Sequence, residues 1–236
     1  MKSLQKSLVH AAVLATLLAA GLGAGVAFGA DVKPAPATGT AAAPVPADDP
    51  SKLVQASAEG MLKDLDANRE AYRKDPAKVN ALVDKWLLPH FDTAYSARLV
   101  LGKHWRDASE DQRKRFVNAF YQSLLRNYST ALADFTGDRM KILPAQVDGD
   151  NATVRSSIKR SNGSLVQVNY LLRKTPDGWK AWDVNIEGIS YVKSFREDFG
   201  AEIDQKGLDA VIERIEKGGL PQAPGVGDSK KTAGKT

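Results

Sequence analysis

The chain of 236 residues contains no cysteine. That absence removes disulfide staples, thiolate zinc ligands, a thiol nucleophile and the lipidated cysteine of a lipoprotein. Histidine is nearly as scarce, with only His10, His90 and His104. No H-E-x-x-H or close histidine pair forms, so a zinc site has almost no ligands to draw on. A phosphate-cradling glycine loop is missing too. Gly188-Ile189-Ser190-Tyr191-Val192 starts like a nucleophile elbow but lacks the second glycine; Ser190 reads instead as the N-cap of the helix that follows. Asp148-Gly149-Asp150-Asn151 opens like a calcium loop, but Thr153 stands where the sixth-position glycine is needed, so it reads as a hairpin turn. Hydrolase, metal-enzyme and nucleotide-enzyme readings go unsupported; the expectation is no catalytic residues, no metal and no cofactor.

One long uncharged run is present, at the start. Lys2 and Lys6 precede Ser7 to Ala30, rich in Ala, Leu and Gly. A basic region, an apolar stretch and small residues before Asp31 predict a signal peptide over 1–30 and export to the periplasm as a soluble protein. Ala27 and Gly29 suit cleavage after Gly29, whereas a cut after Ala30 puts Phe28 at an awkward position. An uncleaved membrane anchor is the competing reading, since the run is long enough to span a bilayer; its weak hydrophobicity and late glycines argue against it. Residues 31–49 are an Ala/Pro linker and 218–236 a Gly/Pro/Lys tail. Neither has apolar periodicity, and both are expected to be disordered. Residues 50–217 are left as a single domain, held by packing alone.

The formal charge of +5 includes Lys2 and Lys6 in the leader and Lys230, Lys231 and Lys235 in the tail, so the folded part is only mildly basic. Arg113-Lys114-Arg115 sits among apolar helical positions and reads as a solvated face. Nucleic acid is not an expected partner of an exported chain. Anionic head groups or acidic partner surfaces remain open, with Lys103, Arg106 and Arg113 as docking candidates.

Helical periodicity fills the first half. Val54, Ala58, Met61, Leu65 and Tyr72 define one amphipathic face. Asp75-Pro76 reads as an N-cap with proline at the first helical position, opening a helix with Val79, Leu82, Val83, Trp86 and Leu87 that Pro89 ends. A segment from Asp92 to Leu101 stops at Gly102. Ser109 with Gln112 forms a capping box before a long helix carrying Phe116, Val117, Phe120, Leu124, Tyr128, Leu132 and Phe135, which Gly137 closes.

The second half switches to period 2. Asp148-Gly149, Asn162-Gly163 and Asp177-Gly178 separate four strand candidates: Met140–Val147, Ala152–Lys159, Leu165–Lys174 and Trp179–Glu187. Val154 and Ile158 share one face of the second; Val166, Val168, Tyr170 and Leu172 share one face of the third. An antiparallel meander with one apolar face needs helices to cover it, which predicts an α+β domain. On the fourth strand, Trp182, Val184 and Ile186 alternate with Asp183, Asn185 and Glu187, putting both acids on the polar face. That placement argues against an isomerase, which would need a buried carboxylate opposite a hydrogen-bond donor.

After Gly188 the period turns helical, with Val192, Phe195, Phe199 and Ile203. The segment Asp183 to Phe199, reading DVNIEGISYVKSFREDF, resembles the strand-to-helix signature of the MlaC family of phospholipid-binding proteins, also known as the toluene tolerance family. Leu87-Leu88-Pro89-His90-Phe91-Asp92 with Ala94-Tyr95 is similar to that family's L-P-x-x-D/V region. Leu99 to Arg106 followed by Ala108 to Arg113 is similar to its V-L-G-x-x-W/Y-x-x-A-S/T-x-x-Q-R block, and Phe116 to Leu132 to its long helix. The likeness spans Leu53 to Ile215 in order; only the linker and tail depart from it.

The resemblance implies an NTF2-like curved four-stranded antiparallel sheet packed against several helices, with an apolar pocket between them for a phospholipid. It implies a periplasmic carrier between an outer-membrane lipoprotein–porin complex and an inner-membrane ABC transporter with its substrate-binding component, maintaining outer-membrane lipid asymmetry without covalent chemistry. On that expectation one wall is Val154, Ile158, Val166, Val168, Tyr170, Leu172, Trp182, Val184 and Ile186, faced by Phe120, Leu124, Tyr128 and Leu132. Periodicity alone does not separate lipid-lining positions from filled core. A carrier of another apolar ligand, or an adaptor that binds none, would share these features.

Overall fold

In the computed structural model of the chain, residues 48–75, 77–133, 140–159 and 163–220 are described, with the side chains of 128–133 excepted. The expected signal peptide, most of the linker, the tail from 221 onward, Phe135 and Gly137 lie outside the described residues.

Helix α1 (Pro50–Lys74) begins at Asp49, whose carboxylate accepts from the backbone N–H groups of Ser51 and Lys52. The expected face is buried, with Leu53 and Ser57 added to it. The helix bends at Asn68, whose side-chain amide donates to the carbonyl oxygen of Asp64 at 3.0 Å and so competes with the backbone ladder. Helix α2 (Lys78–Trp86) starts later than the Asp75-Pro76 signal predicts: Ala77 is its N-cap, and the Asp75 carboxylate accepts from the Ala77 N–H. Pro76 lies outside the described residues.

A 3-10 turn (Leu88–His90) leads to Asp92, which caps α3 (Thr93–Leu101) by accepting from the Tyr95 N–H at 3.0 Å. Gly102 stops α3 with φ 55°, ψ −119°, a conformation that side chains resist. After the short α4 (His104–Asp107), the predicted capping box opens α5 (Glu110–Ala133): Gln112 N–H donates to Ser109 Oγ, and Ser109 N–H donates to Gln112 Oε1.

The sheet contains β1 (Met140–Ile142), β2 (Gln146–Asp148), β3 (Asn151–Lys159), β4 (Leu165–Thr175), β5 (Gly178–Ile186) and β6 (Ile189–Ser190). Both β1 and β2 pair antiparallel with β3, and the order continues β3-β4-β5-β6. The first expected strand is thus two short ones. Pro144 has no N–H to give to the ladder, and the register on β3 slips by one residue between Ile142↔Ser156 and Gln146↔Thr153. With the two-residue β6, the described residues hold six strands where four were expected. The α+β class and the antiparallel meander stand.

The β3–β4 register superposes Val154 on Tyr170, Ser156 on Val168 and Ile158 on Val166, all buried on one face. On β5, Val184 and Ile186 join that face opposite Tyr170 and Val168. Trp182 does not, contrary to the alternation. A β-bulge lets Leu171 face Asp183 and Leu172 face Ala181, so Trp182 is the extra residue and Ala181 takes its expected place. The Trp182 ring instead packs edge-on against Tyr95 of α3, with centroids 5.7 Å apart.

Helix α6 (Tyr191–Lys206) is capped by Ser190, whose Oγ accepts from the Lys193 N–H at 3.1 Å. It packs on α3 and β5, while α7 (Leu208–Glu216) packs on α5. Between α5 and α6 lies an aromatic cluster of Phe116, Phe120, Phe195 and Phe199, with Phe120 and Phe195 centroids 5.1 Å apart. Helix α1 lies against the sheet, touching β1, β3 and β5, and shares one continuous core with it.

Candidate functional site

Where α1 and the 3-10 turn meet the apolar sheet face, packing leaves a cavity of about 40 Å³. Leu53, Val54, Ser57 and Ala58 of α1 form one side, and Tyr170, Leu172 and Ala181 the other. Leu87, His90 and Phe91 close the end nearest the 3-10 turn. Phe91 is held to the sheet by a bridge to Ala181, reinforced by the Asp92 N–H donating to the Ala181 carbonyl at 2.7 Å. The wall is almost wholly hydrocarbon. Burial pushes the Tyr170 hydroxyl up to about 12, against a smaller lowering by Ser156, so it stays a neutral phenol. His90 is held below the ordinary imidazole value, first by burial and then by the nearby Lys180 charge.

A smaller cavity of about 20 Å³ lies among α3, α5, α6 and β5. Phe120, Leu124 and Trp182 line it together with Ser96, Asp183 and Tyr191. Of the expected lipid-contacting residues, Tyr170 and Leu172 therefore border the first cavity, and Phe120, Leu124 and Trp182 the second. Val154, Ile158, Val166, Val168, Val184 and Ile186 are buried in the shared core and border neither. The side chains of Tyr128 and Leu132 lie outside the described residues. Val54 and Ala58 carried a signal, as one stripe of α1; Ser57, His90, Phe91 and Ala181 offered none as lining.

Asp183 overturns the alternation argument. It lies on the face opposite Val184, as alternation requires, but α3 and α6 cover that face and leave it 2% exposed. Its Oδ2 accepts from Ser190 Oγ at 2.6 Å and its Oδ1 from the Val192 N–H at 3.0 Å. Burial raises its affinity for a proton, and these donors partly offset that. Both oxygens are committed to the start of α6, which is a structural role.

A third depression is a surface groove of about 440 Å³ at the C-terminal end of α3, bordered by Arg98, Leu99, Gly102, Lys103, Trp105, Arg106 and Arg196. Lys103 is paired with Asp204 at 2.9 Å. Arg113, one of the docking candidates, is spent on structure: its Nε donates to the Trp105 carbonyl and its guanidinium lies 5.2 Å from that ring. Arg98, Arg106 and Arg196 form no ion pair among the described residues. The groove is a concentrated positive surface.

Among the described residues no group of His, Cys, Asp or Glu could hold a metal ion, and no helix is long and apolar enough to cross a membrane. Residues 55–217 match the family model described as MlaC protein. The chain is 30% identical over 167 residues to the toluene tolerance protein Ttg2D of Pseudomonas putida, covering 70% of this chain and 78% of that one. It is 24% identical over 173 residues to the intermembrane phospholipid transport system binding protein MlaC of Haemophilus influenzae, covering 71% and 81%. The fold matches a phospholipid-binding protein from Ralstonia solanacearum, solved in complex with a phospholipid, with TM-score 0.67 and 24% identity over 72% of this chain and 96% of that one.

Proposed function

The chain belongs to the MlaC protein family, and from that premise we propose that it binds a glycerophospholipid and carries it through the periplasm between an outer-membrane lipoprotein–porin complex and an inner-membrane ABC transporter. In this reading residues 1–30 are the export signal, 50–217 the lipid-binding domain, and the flanking segments tethers without a lipid-binding role. No covalent bond changes; the work is desolvation and release, and it keeps phospholipid from accumulating in the wrong leaflet.

The observation that carries the reading is the hydrocarbon-lined cavity between α1 and the sheet. Each acyl methylene taken from water contributes about 0.8 kcal/mol, so a dry slot needs few polar contacts to hold a lipid. The cavity is small, however. Its volume of about 40 Å³ is close to one water's share of liquid, whereas ligand pockets span roughly 300–1,000 Å³. Loading therefore requires α1 to separate from the sheet. The helix does not move alone: Asp64 of α1 accepts from Tyr72 Oη at 2.9 Å, Lys85 Nζ at 3.1 Å and Trp86 Nε1 at 3.2 Å, tying α2 to it. The α1–α2 pair is the moving part, and docking of a partner shifts the balance toward the open form.

The test is organic extraction of the protein purified from the periplasm after expression of the full chain, followed by lipid mass spectrometry. Near-stoichiometric diacyl phospholipid supports the reading; protein free of lipid sinks it.

A further inference from the structure

Besides Tyr170, whose hydroxyl is engaged with Ser156, two polar side chains interrupt the apolar wall of the α1–sheet cavity. Ser57 is 6% exposed, and its Oγ has no hydrogen-bond partner among the described residues. A helical serine ordinarily returns its hydroxyl to the carbonyl one turn earlier; this one does not, although it borders the cavity. His90 stands half-buried at the rim, with the Lys180 ammonium near enough to act on its charge. Asp92, two residues on, does not compete for that imidazole: its carboxylate is taken by Arg173 at 2.8 Å and by the cap of α3. Lys180 is paired with Asp177 of the β4–β5 turn at 3.3 Å; the Asp177 side chain is 79% exposed, so the ammonium is loosely held.

We propose that Ser57 and His90 are the polar seat of the cargo, Ser57 Oγ–H donating to an acyl ester carbonyl and the His90 imidazole donating to a phosphate oxygen with Lys180 beside it. The inference rests on the reading of this cavity as a phospholipid site and deepens it. An ester carbonyl drawn into hydrocarbon loses its water, and a hydroxyl already desolvated there replaces that water at no further cost. The imidazole presents at least one N–H in either charge state, and an arriving phosphate favours the form with two. The two groups thus explain how a slot made almost entirely of hydrocarbon could distinguish a phospholipid from a fatty acid or an alkane, with the phosphate at the rim and the chains directed inward.

The experiment uses the full exported chain, its S57A and H90L variants, and three synthetic lipids of equal chain length: a diester phospholipid, its diether analogue without ester carbonyls, and a diacylglycerol without phosphate. Competitive loading followed by extraction gives the ratios. The wild-type protein is expected to favour diester over diether about tenfold, and phospholipid over diacylglycerol by a similar factor. S57A should abolish the first preference and leave the second; H90L should do the reverse. Thermal unfolding and total lipid bound confirm that each variant is folded. If wild type loads phospholipid but S57A keeps the ester preference and H90L the phosphate preference, the seat is wrong and the carrier reading stands. If wild type loads none of the lipids, the carrier reading falls and the seat with it.

Discussion

A Cβ built on Gly60 would stand 2.1 Å from Cζ3 and 2.3 Å from Cε3 of Trp86, so α1 and α2 touch backbone to ring. The indole has little room to retreat, because its Nε1 donates to Asp64 at 3.2 Å. Gly60→Ala should therefore destabilise the domain by roughly 1–3 kcal/mol, outweighing the gain of about 1 kcal/mol that alanine brings to a helix interior. Urea unfolding of G60A, W86A and the double variant checks this. The double variant should be more stable than the sum of the single losses predicts.

Asp64 sets the sign of one limb of the acid profile. Burial works against its charge, but hydrogen bonds from Tyr72, Trp86 and Lys85 hold its proton affinity below the ordinary 3.8. A carboxyl whose folded value lies below its unfolded value stabilises above the unfolded value, and that stability is lost as pH falls through the folded one. Stability should drop below about pH 4, and D64N should flatten the drop while lowering stability at neutral pH. Denaturation midpoints at matched salt between neutral and acid pH are the measurement.

Asp183 works in the opposite sense. Burial raises its folded value, so the domain binds this proton more tightly than the unfolded chain does. Its contribution is greatest below the ordinary carboxylate value and is lost as pH rises through the folded value. Asparagine at 183 retains an acceptor for one of the two donors, whereas alanine leaves both without one. D183A should cost roughly 2–4 kcal/mol and D183N distinctly less. Equal losses would mean that the α6 cap does not depend on this side chain's acceptors.

The basic groove at the end of α3 is the surface to test for docking. Arg98, Arg106 and Arg196 form no ion pair among the described residues, so reversing their charge breaks no ion pair there. If the proposed carrier function holds, the triple variant R98E/R106E/R196E should load phospholipid and keep its unfolding midpoint close to that of wild type, yet pass lipid to the proposed membrane complexes at least tenfold more slowly at low salt, a difference that added salt narrows. Unchanged transfer would place docking elsewhere.

Local signals were legible wherever one residue decides one hydrogen bond. Ser109 with Gln112 and Ser190 each cap the helix read from their spacing, the segment read as starting at Asp92 is a helix that Asp92 caps, and the alternating residues of β3 and β4 face the side expected of them. What escaped is whatever depends on pairing. Pro144 marks a broken edge strand only once its neighbour is known, and the bulge at Trp182 is set by the register of β5 on β4 rather than by any pattern in β5. That one extra residue replaced Trp182 by Ala181 beside the cavity, while Asp183 keeps the face opposite Val184 and is buried because α3 and α6 cover that face. The cavity wall was only half legible for a similar reason. An amphipathic stripe shows that α1 is buried, but not where its contact with the sheet falls short of close packing.

Ala181 and Val184 sit on one strand and one sheet face, across the bulge from each other, yet should fail in different ways. Ala181 borders the α1–sheet cavity, and its side chain is half-buried; Val184 is fully buried and borders neither of the two cavities described above. Valine at 181 suits a strand and extends into the cavity rather than into closely packed side chains, so A181V should leave the unfolding midpoint unchanged or slightly raised. On the proposed lipid path the same methyl groups would meet an acyl chain, and bound phospholipid should fall several-fold. Threonine at 184 has the shape of valine but brings a hydroxyl into a dry core, at a cost of about 1–3 kcal/mol. V184T should lose stability first, and lipid only in proportion to the folded protein that remains. Lipid per folded molecule, measured for both variants at one temperature, separates the two cases. A loss confined to V184T would move the lipid path from the α1 cavity into the region behind β5.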